Sequence, residues 1–265
     1  MNNIDLHLHI APKEIVCKEG DLSFDELKKS FGNLLDNIKN NGTEQGLVII
    51  MDVDFLKKPH ALKFLKEHKD WFKVLRLCFM FDFRRPEDLK LLDTANELGA
   101  KAIKFHPYLQ NIAENDYKSV EIFAEKADKL GMFIVVDCAY GTRKLYKYEG
   151  IKLSGYLSEK VSCPVIIAHA GGFRALDALM VAVDTDNIYL DISFSLDYWE
   201  GSTVEQDIAF AVKKLGSERC LYGSDYPFVS LEGYISLAGK FLRKYKFNKS
   251  DIENIFYKTA KKLLS

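Results

Sequence analysis

Long apolar runs are missing from this 265-residue chain. Nothing approaches the roughly 20 residues that a membrane-crossing helix requires, so no membrane partner is expected. An excess of either charge is missing too. Lys plus Arg number 37 and Asp plus Glu 38, for a net charge of -1. That balance excludes the overall basic field that would draw the protein to nucleic acid. Cysteine is sparse and odd in number, at five, with no CxxC pair, which predicts reduced, mostly buried thiols rather than a disulfide framework. A strand-like run already begins at Ile4, leaving no room for a charged and apolar leader, and a cytoplasmic location is the expectation. No Pro/Gly/Ser-rich linker interrupts the chain, so residues 1–265 are read as one domain.

Present instead is a regular alternation. Eight short β-like runs occupy 4–9, 46–53, 73–79, 101–106, 132–138, 164–169, 187–193 and 219–225. Between them lie amphipathic stretches such as 23–40, 86–99 and 117–131. In the last, Val120, Phe123, Ala124, Ala127 and Leu130 recur at helical spacing. Strand–helix alternation predicts right-handed βαβ units and a parallel sheet. Eight repeats in this length favour a single (β/α)8 TIM barrel. An open doubly wound sheet would be expected to carry a Gly-rich loop after its first strand, and none follows His9. The stretch 249–264 reads as a last helix closing the outer ring.

Candidate chemistry gathers at the strand ends. In the first run, Asp5, His7 and His9 share one parity and Leu6 and Leu8 the other. The imidazoles are therefore expected to face the barrel and the leucines the helices. Two histidines so spaced can chelate one ion. Lys104 and His106 share parity in the fourth run, where two basic groups suit a carboxylate or phosphate. Asp137 ends four apolar residues, a place where an acid does not serve packing. His169 ends the sixth run, followed by Gly171 and Gly172, which would allow a ligand close to the backbone. Asp225 ends the eighth run. Arg174 and Arg143 are further candidates for holding an anion, and Tyr108, Tyr140 and Trp199 for walling a pocket. His60 and His68 read as surface residues.

Taken in order, these segments resemble the amidohydrolase superfamily. The closest likeness is to its small-barrel branch, which includes aminocarboxymuconate-semialdehyde decarboxylase and related hydrolases and lactonases. The pieces are DLHLH at 5–9, IKFHP at 103–107, the run from Gly131 to Asp137, AHAGG at 168–172, YLDIS at 189–193 and GSDYP at 223–227. The resemblance implies that His7, His9 and Asp225 bind a divalent metal, commonly zinc, and that His169 assists catalysis beside it. One position departs from the pattern. The fifth run usually ends in a metal-binding histidine, and here it ends in Asp137. A carboxylate can also ligate zinc and would suit manganese, so His7, His9, Asp137 and Asp225 form the expected ligand set.

The function expected from this reading is metal-assisted hydrolysis of a small, anionic organic substrate. His169 and Asp225 would be the catalytic groups, and Lys104, His106 and Arg174 would bind substrate. A non-oxidative decarboxylase or a metal-independent lactonase of the same fold remains an alternative, as does a non-catalytic barrel that binds a metabolite or a protein. The expected partner is a small molecule, and a homodimer is allowed for.

Overall fold

The computed structural model describes residues 2–10, 17–139 and 143–265. Eight parallel strands form one sheet in the order of the sequence: β1 (Asn3–Leu8), β2 (Thr43–Ile50), β3 (Leu75–Met80), β4 (Ala102–Phe105), β5 (Phe133–Val136), β6 (Val165–Ile167), β7 (Ile188–Asp191) and β8 (Cys220–Leu221). The seam between β8 and β1 is stitched by Leu6 N to Tyr222 O (3.0 Å), Asp225 N to His7 O (2.8 Å) and His9 N to Tyr226 O (2.7 Å). A helix follows each strand, as in Phe24–Asn40 after β1 and Leu231–Lys244 after β8. The fold is the expected (β/α)8 barrel.

Burial separates the two faces of the sheet. Leu47, Ile49, Met51, Cys78, Met80, Ala102, Phe133, Val135, Ile166, Ala168 and Leu221 pack as a small inner cluster. Their alternates, such as Val48, Ile50, Leu77, Phe79, Ile103, Ile134 and Ile167, pack against the helices. The period of two along each strand produces this division. Strand β1 departs from the expected parity. Leu6 joins the inner cluster with Ile4, whereas Leu8 packs outward. The β1–β2 register shifts between Asp5 and Leu8, so one extra residue separates the apolar inner layer from the histidines above it.

The C-terminal stretch also differs from expectation. It breaks into Lys249–Glu253, a wide turn over Asn254–Lys258, and Thr259–Leu264. Ala260 and Leu264 pack into the inner cluster with Ile4 and Leu6, so this segment plugs the barrel floor rather than extending the outer ring. Arg76 donates to Leu264 O (3.1 Å) and Lys101 to Ser265 O (2.8 Å), clamping it there. All five cysteines are free thiols, four of them buried. Among the described residues, no helix is long and apolar enough to cross a membrane.

Candidate active site

Every polar group singled out on the strand ends lies buried at one end of the barrel, apart from Arg174 and Arg143. His7, His9, Lys104, His106, Asp137, His169 and Asp225 are each at most 7% exposed. Neither His169 nor Asp225 stands on a strand. His169 follows β6 by two residues and Asp225 follows β8 by four, both with left-handed backbones at φ 59 and φ 65. That conformation costs a non-glycine residue energy and is seen chiefly where the surroundings enforce it. Two glycines make room here. A Cβ on Gly223 would lie 2.7 Å from His7 Cβ. One on Gly172 would lie 2.2 Å from Ala139 O, so that glycine admits the chain after β5 and not, as expected, a ligand.

The buried groups fall into two sets. In the first, His7 Nδ1 donates to Asp191 Oδ2 (2.8 Å) and His9 Nδ1 to Ile49 O (3.2 Å). Both rings therefore turn Nε2 toward Asp225. Asp225 Oδ1 lies 3.6 Å from His7 Nε2 and 3.2 Å from His9 Nε2. Ligand atoms of His7, His9 and Asp225 all fall within 4.8 Å of one another, a spacing that can hold a metal ion. Burial opposes the charge on Asp225, but His7 and hydrogen bonding from His9 outweigh it and hold the carboxyl down at about 2. Burial and then the Lys104 ammonium lower His7 to about 4, keeping it neutral.

The second set is built around Asp137. Its Oδ2 lies 3.1 Å from Lys104 Nζ, 3.2 Å from His169 Nε2 and 3.4 Å from His106 Nε2. Despite burial, His106, Lys104 and His169 hold this carboxyl well below its usual range. Burial disfavours the charge on His169, yet Asp137 more than compensates and raises it to about 9. His169 also donates from Nδ1 to Ser193 O (3.1 Å), so both ring nitrogens carry protons near neutral pH. Burial pushes His106 down to about 3. Lys104 joins the sets by donating to His7 Nε2 at 3.1 Å.

Three contributors were not singled out as site residues. Asp191 fixes the His7 ring, Ser193 Oγ bonds Asp191 Oδ2 (2.6 Å), and Asp5 accepts from both His7 N and Ser224 N at 3.0 Å. Asp191 carries the same signal as Asp137, an acid closing an apolar strand. Arg174, about a third exposed, pairs with Asp177 (2.6 Å) and Glu149 (3.0 Å), and Arg143 is exposed. The Tyr108 ring stands edge-on to His106 at 4.2 Å, and Trp199 packs on Phe173 and Tyr198. Tyr140 lies outside the described residues. His60 and His68 are half-buried rather than superficial. One bonds Gly20 O (3.0 Å) and the other stacks on Phe64.

A family model described as amidohydrolase matches residues 4–265. The chain belongs to the amidohydrolase family, a family of enzymes. No curated protein matches the sequence. Among solved structures it resembles a probable 2-pyrone-4,6-dicarboxylic acid hydrolase from Acinetobacter baumannii with citric acid bound, at TM-score 0.69 and 14% identity over 100% of this chain and 99% of that one. A putative hydrolase of the same designation from Pseudomonas putida gives TM-score 0.66 at 16% identity, over 99% and 97% of the two chains. A 5-carboxyvanillate decarboxylase from Sphingomonas paucimobilis gives 0.67 at 10% identity, over 99% and 98%. At these identities the likeness is one of fold.

Proposed function

We propose that this enzyme hydrolyses a small, anionic organic substrate at the barrel mouth, with one divalent metal ion held by His7, His9 and Asp225. The observation that carries this reading is the convergence of two imidazole Nε2 atoms on one carboxylate. Each ring is turned by a partner on its other nitrogen, Asp191 or Ile49 O. Two imidazoles and a carboxylate are a donor set that fits zinc, and manganese also accepts such donors. When bound, the ion would supply Lewis acidity and lower the pKa of water toward neutrality.

The chain's own groups divide the remaining work. Lys104 and neutral His106 face the substrate's anionic group. Asp225 accepts the proton of the attacking water, and His169, protonated and held by Asp137, gives its Nε2 proton to the departing group as the bond to carbon breaks. Asp137 is left outside the ion's ligand set, because its inner oxygen already faces an ammonium and an imidazolium.

Elemental analysis of the wild type, His7→Ala and Asp225→Asn tests this reading. Stoichiometric metal in the wild type and its loss in both variants are expected. One observation favours a second reading. The Lys104 ammonium already sits against His7 Nε2 and Asp137 Oδ2, as a fixed positive charge beside the three-ligand group. Metal-free wild type with chelator-resistant hydrolysis would select metal-independent chemistry, with Asp225 as the base.

A further inference from the structure

The strand ends of the mouth are not uniformly polar. Those of β1, β4, β5, β6 and β8 lead into the charged and hydrogen-bonding groups described above, whereas β2 and β3 bring Met51, Val53 and Met80 to the mouth, with Asp82 beyond. A cavity of about 250 Å³ opens along that arc, with Cys17, Met51, Val53, Met80, Leu109 and Gln110 among its lining.

We propose that this cavity is the specificity pocket of the enzyme, taking an uncharged, apolar body about the size of a six-membered ring while the substrate's single anionic group faces Lys104. The inference rests on the active site argued above and adds to it which acids enter.

The cavity lies beside the charged groups. Met80 is the register partner of Lys104 across β3 and β4. Gln110 joins the two regions: its Oε1 accepts from His106 N (2.8 Å) and its Nε2 donates to Phe81 O (2.8 Å). The lining suits an apolar guest. Two thioethers adapt to irregular shapes and pack well on aromatic edges. The Cys17 thiol, raised to about 11 by burial first and then by Glu19, stays protonated and serves as wall rather than nucleophile. An apolar cavity of roughly 150 Å³ suffices for benzene, so the volume here holds a substituted ring.

A second anionic group would be poorly received. The cation at the rim, Arg84, is already committed to Gln110 O (2.8 Å), Asn111 O (3.0 Å) and Asp116 Oδ2 (2.9 Å). The Asp82 carboxylate also lines the cavity. The geometry therefore selects a monocarboxylate with an apolar body against a dicarboxylate.

Calorimetric titration of the purified full chain with acetate, benzoate and isophthalate tests this, alongside Val53→Trp and Leu109→Trp, which fill the cavity. Benzoate should bind wild type at least about tenfold more tightly than acetate, as burial of a ring's apolar area implies. Isophthalate should bind about tenfold more weakly than benzoate. In the filled variants the benzoate preference should collapse to within about threefold, with acetate unchanged. Leu109 is 42% exposed, so its variant keeps the test available if Val53→Trp does not fold. Equal affinity for acetate and benzoate, no measurable benzoate binding, a preference for isophthalate, or a benzoate preference that survives both fillings would each overturn the proposal. Metal content, read on the same samples, bears on the hydrolytic reading separately.

Discussion

Asp137 and Asp225 stand in one barrel mouth, both buried and both ionised, yet their surroundings differ in kind. Asp225 faces the Nε2 atoms of two imidazoles, each held from behind on its other nitrogen. Ligand atoms of these three residues are spaced as a metal ion would require. Asp137 faces an ammonium, an imidazolium and a neutral ring, so its charge is already matched. The same residue type thus belongs to a group spaced to hold a metal ion in one place and is a counter-ion in the other. What decides between them is the proton inventory of the neighbouring nitrogens, which Asp191, Ile49 O and Ser193 O set from behind.

The largest expected effect comes from breaking the matched side. Asp137→Asn leaves Lys104 and His169 buried without their anion, and removal of one partner of such a set costs about 3–5 kcal/mol. Thermal unfolding should show that loss, and the titration of His169, followed by NMR, should fall from about 9 to below its ordinary value. Metal content should survive if the protein folds. Asp225→Asn should do the reverse, abolishing metal binding with a smaller effect on stability. Parallel loss of metal in both variants would erase the distinction between the two carboxylates.

Weaker perturbations sharpen the same contrast. Asp191→Asn leaves the three ligand atoms in place but loosens the His7 ring, and metal affinity should drop about 10- to 100-fold. Lys104→Met removes a cation from His7 Nε2. Metal should then bind more tightly while KM rises, because the substrate's anion loses its partner. Unchanged kinetics and metal affinity in that variant would remove Lys104 from the site.

The pH dependence of stability follows from the same protons. His169 has a folded pKa of about 9, above its ordinary value of 6.5. Its contribution is complete below 6.5 and disappears as pH rises through 9. His7 and His106 are lowered to about 4 and about 3. Their contribution is present above 6.5 and disappears as pH falls toward those values. Through these three histidines, metal-free protein should therefore melt highest near pH 6.5, with a decline toward 9 above it and toward 4 below it in a series of Tm measurements. A flat profile on the alkaline side would mean that His169 is not held as an imidazolium.

The sequence carried the barrel because eight short apolar runs alternate with amphipathic stretches, and those of β1, β4, β5, β6 and β8 lead into a polar group. The same reading placed Lys104, His106 and Asp137 correctly at the mouth. It failed at β1, where the shift between Asp5 and Leu8 puts Leu6 inside, something no alternation pattern can announce. It also could not say what Asp137 faces, since Lys104, His106 and His169 come from other βα units. Asp191 was legible by the logic applied to Asp137, as an acid ending NIYLD, but its partner His7 is 184 residues away. Arg174 was named for its chemistry alone, and the fold sets it among Glu149 and Asp177.

The smallest expected effect lies just outside the two centres, where Glu19 fastens the loop after β1 to the end of β2. Its carboxylate accepts from Cys17 N and Met51 N, both at 3.1 Å. Burial, opposed by those hydrogen bonds, raises it to about 7. A carboxyl with a folded pKa above its ordinary 4.5 adds stability below 4.5 that disappears as pH rises through 7. Glu19→Gln abolishes this dependence, at the cost of one acceptor for two backbone donors. The variant should melt below wild type at pH 5 and gain relative to it at pH 8, the Tm difference changing by roughly 2–4 °C if about 1 kcal/mol is at stake. Metal content should stay the same at both pH values, because Glu19 is bonded to neither set of site residues. A constant Tm difference across that range would show that Glu19 is ionised throughout.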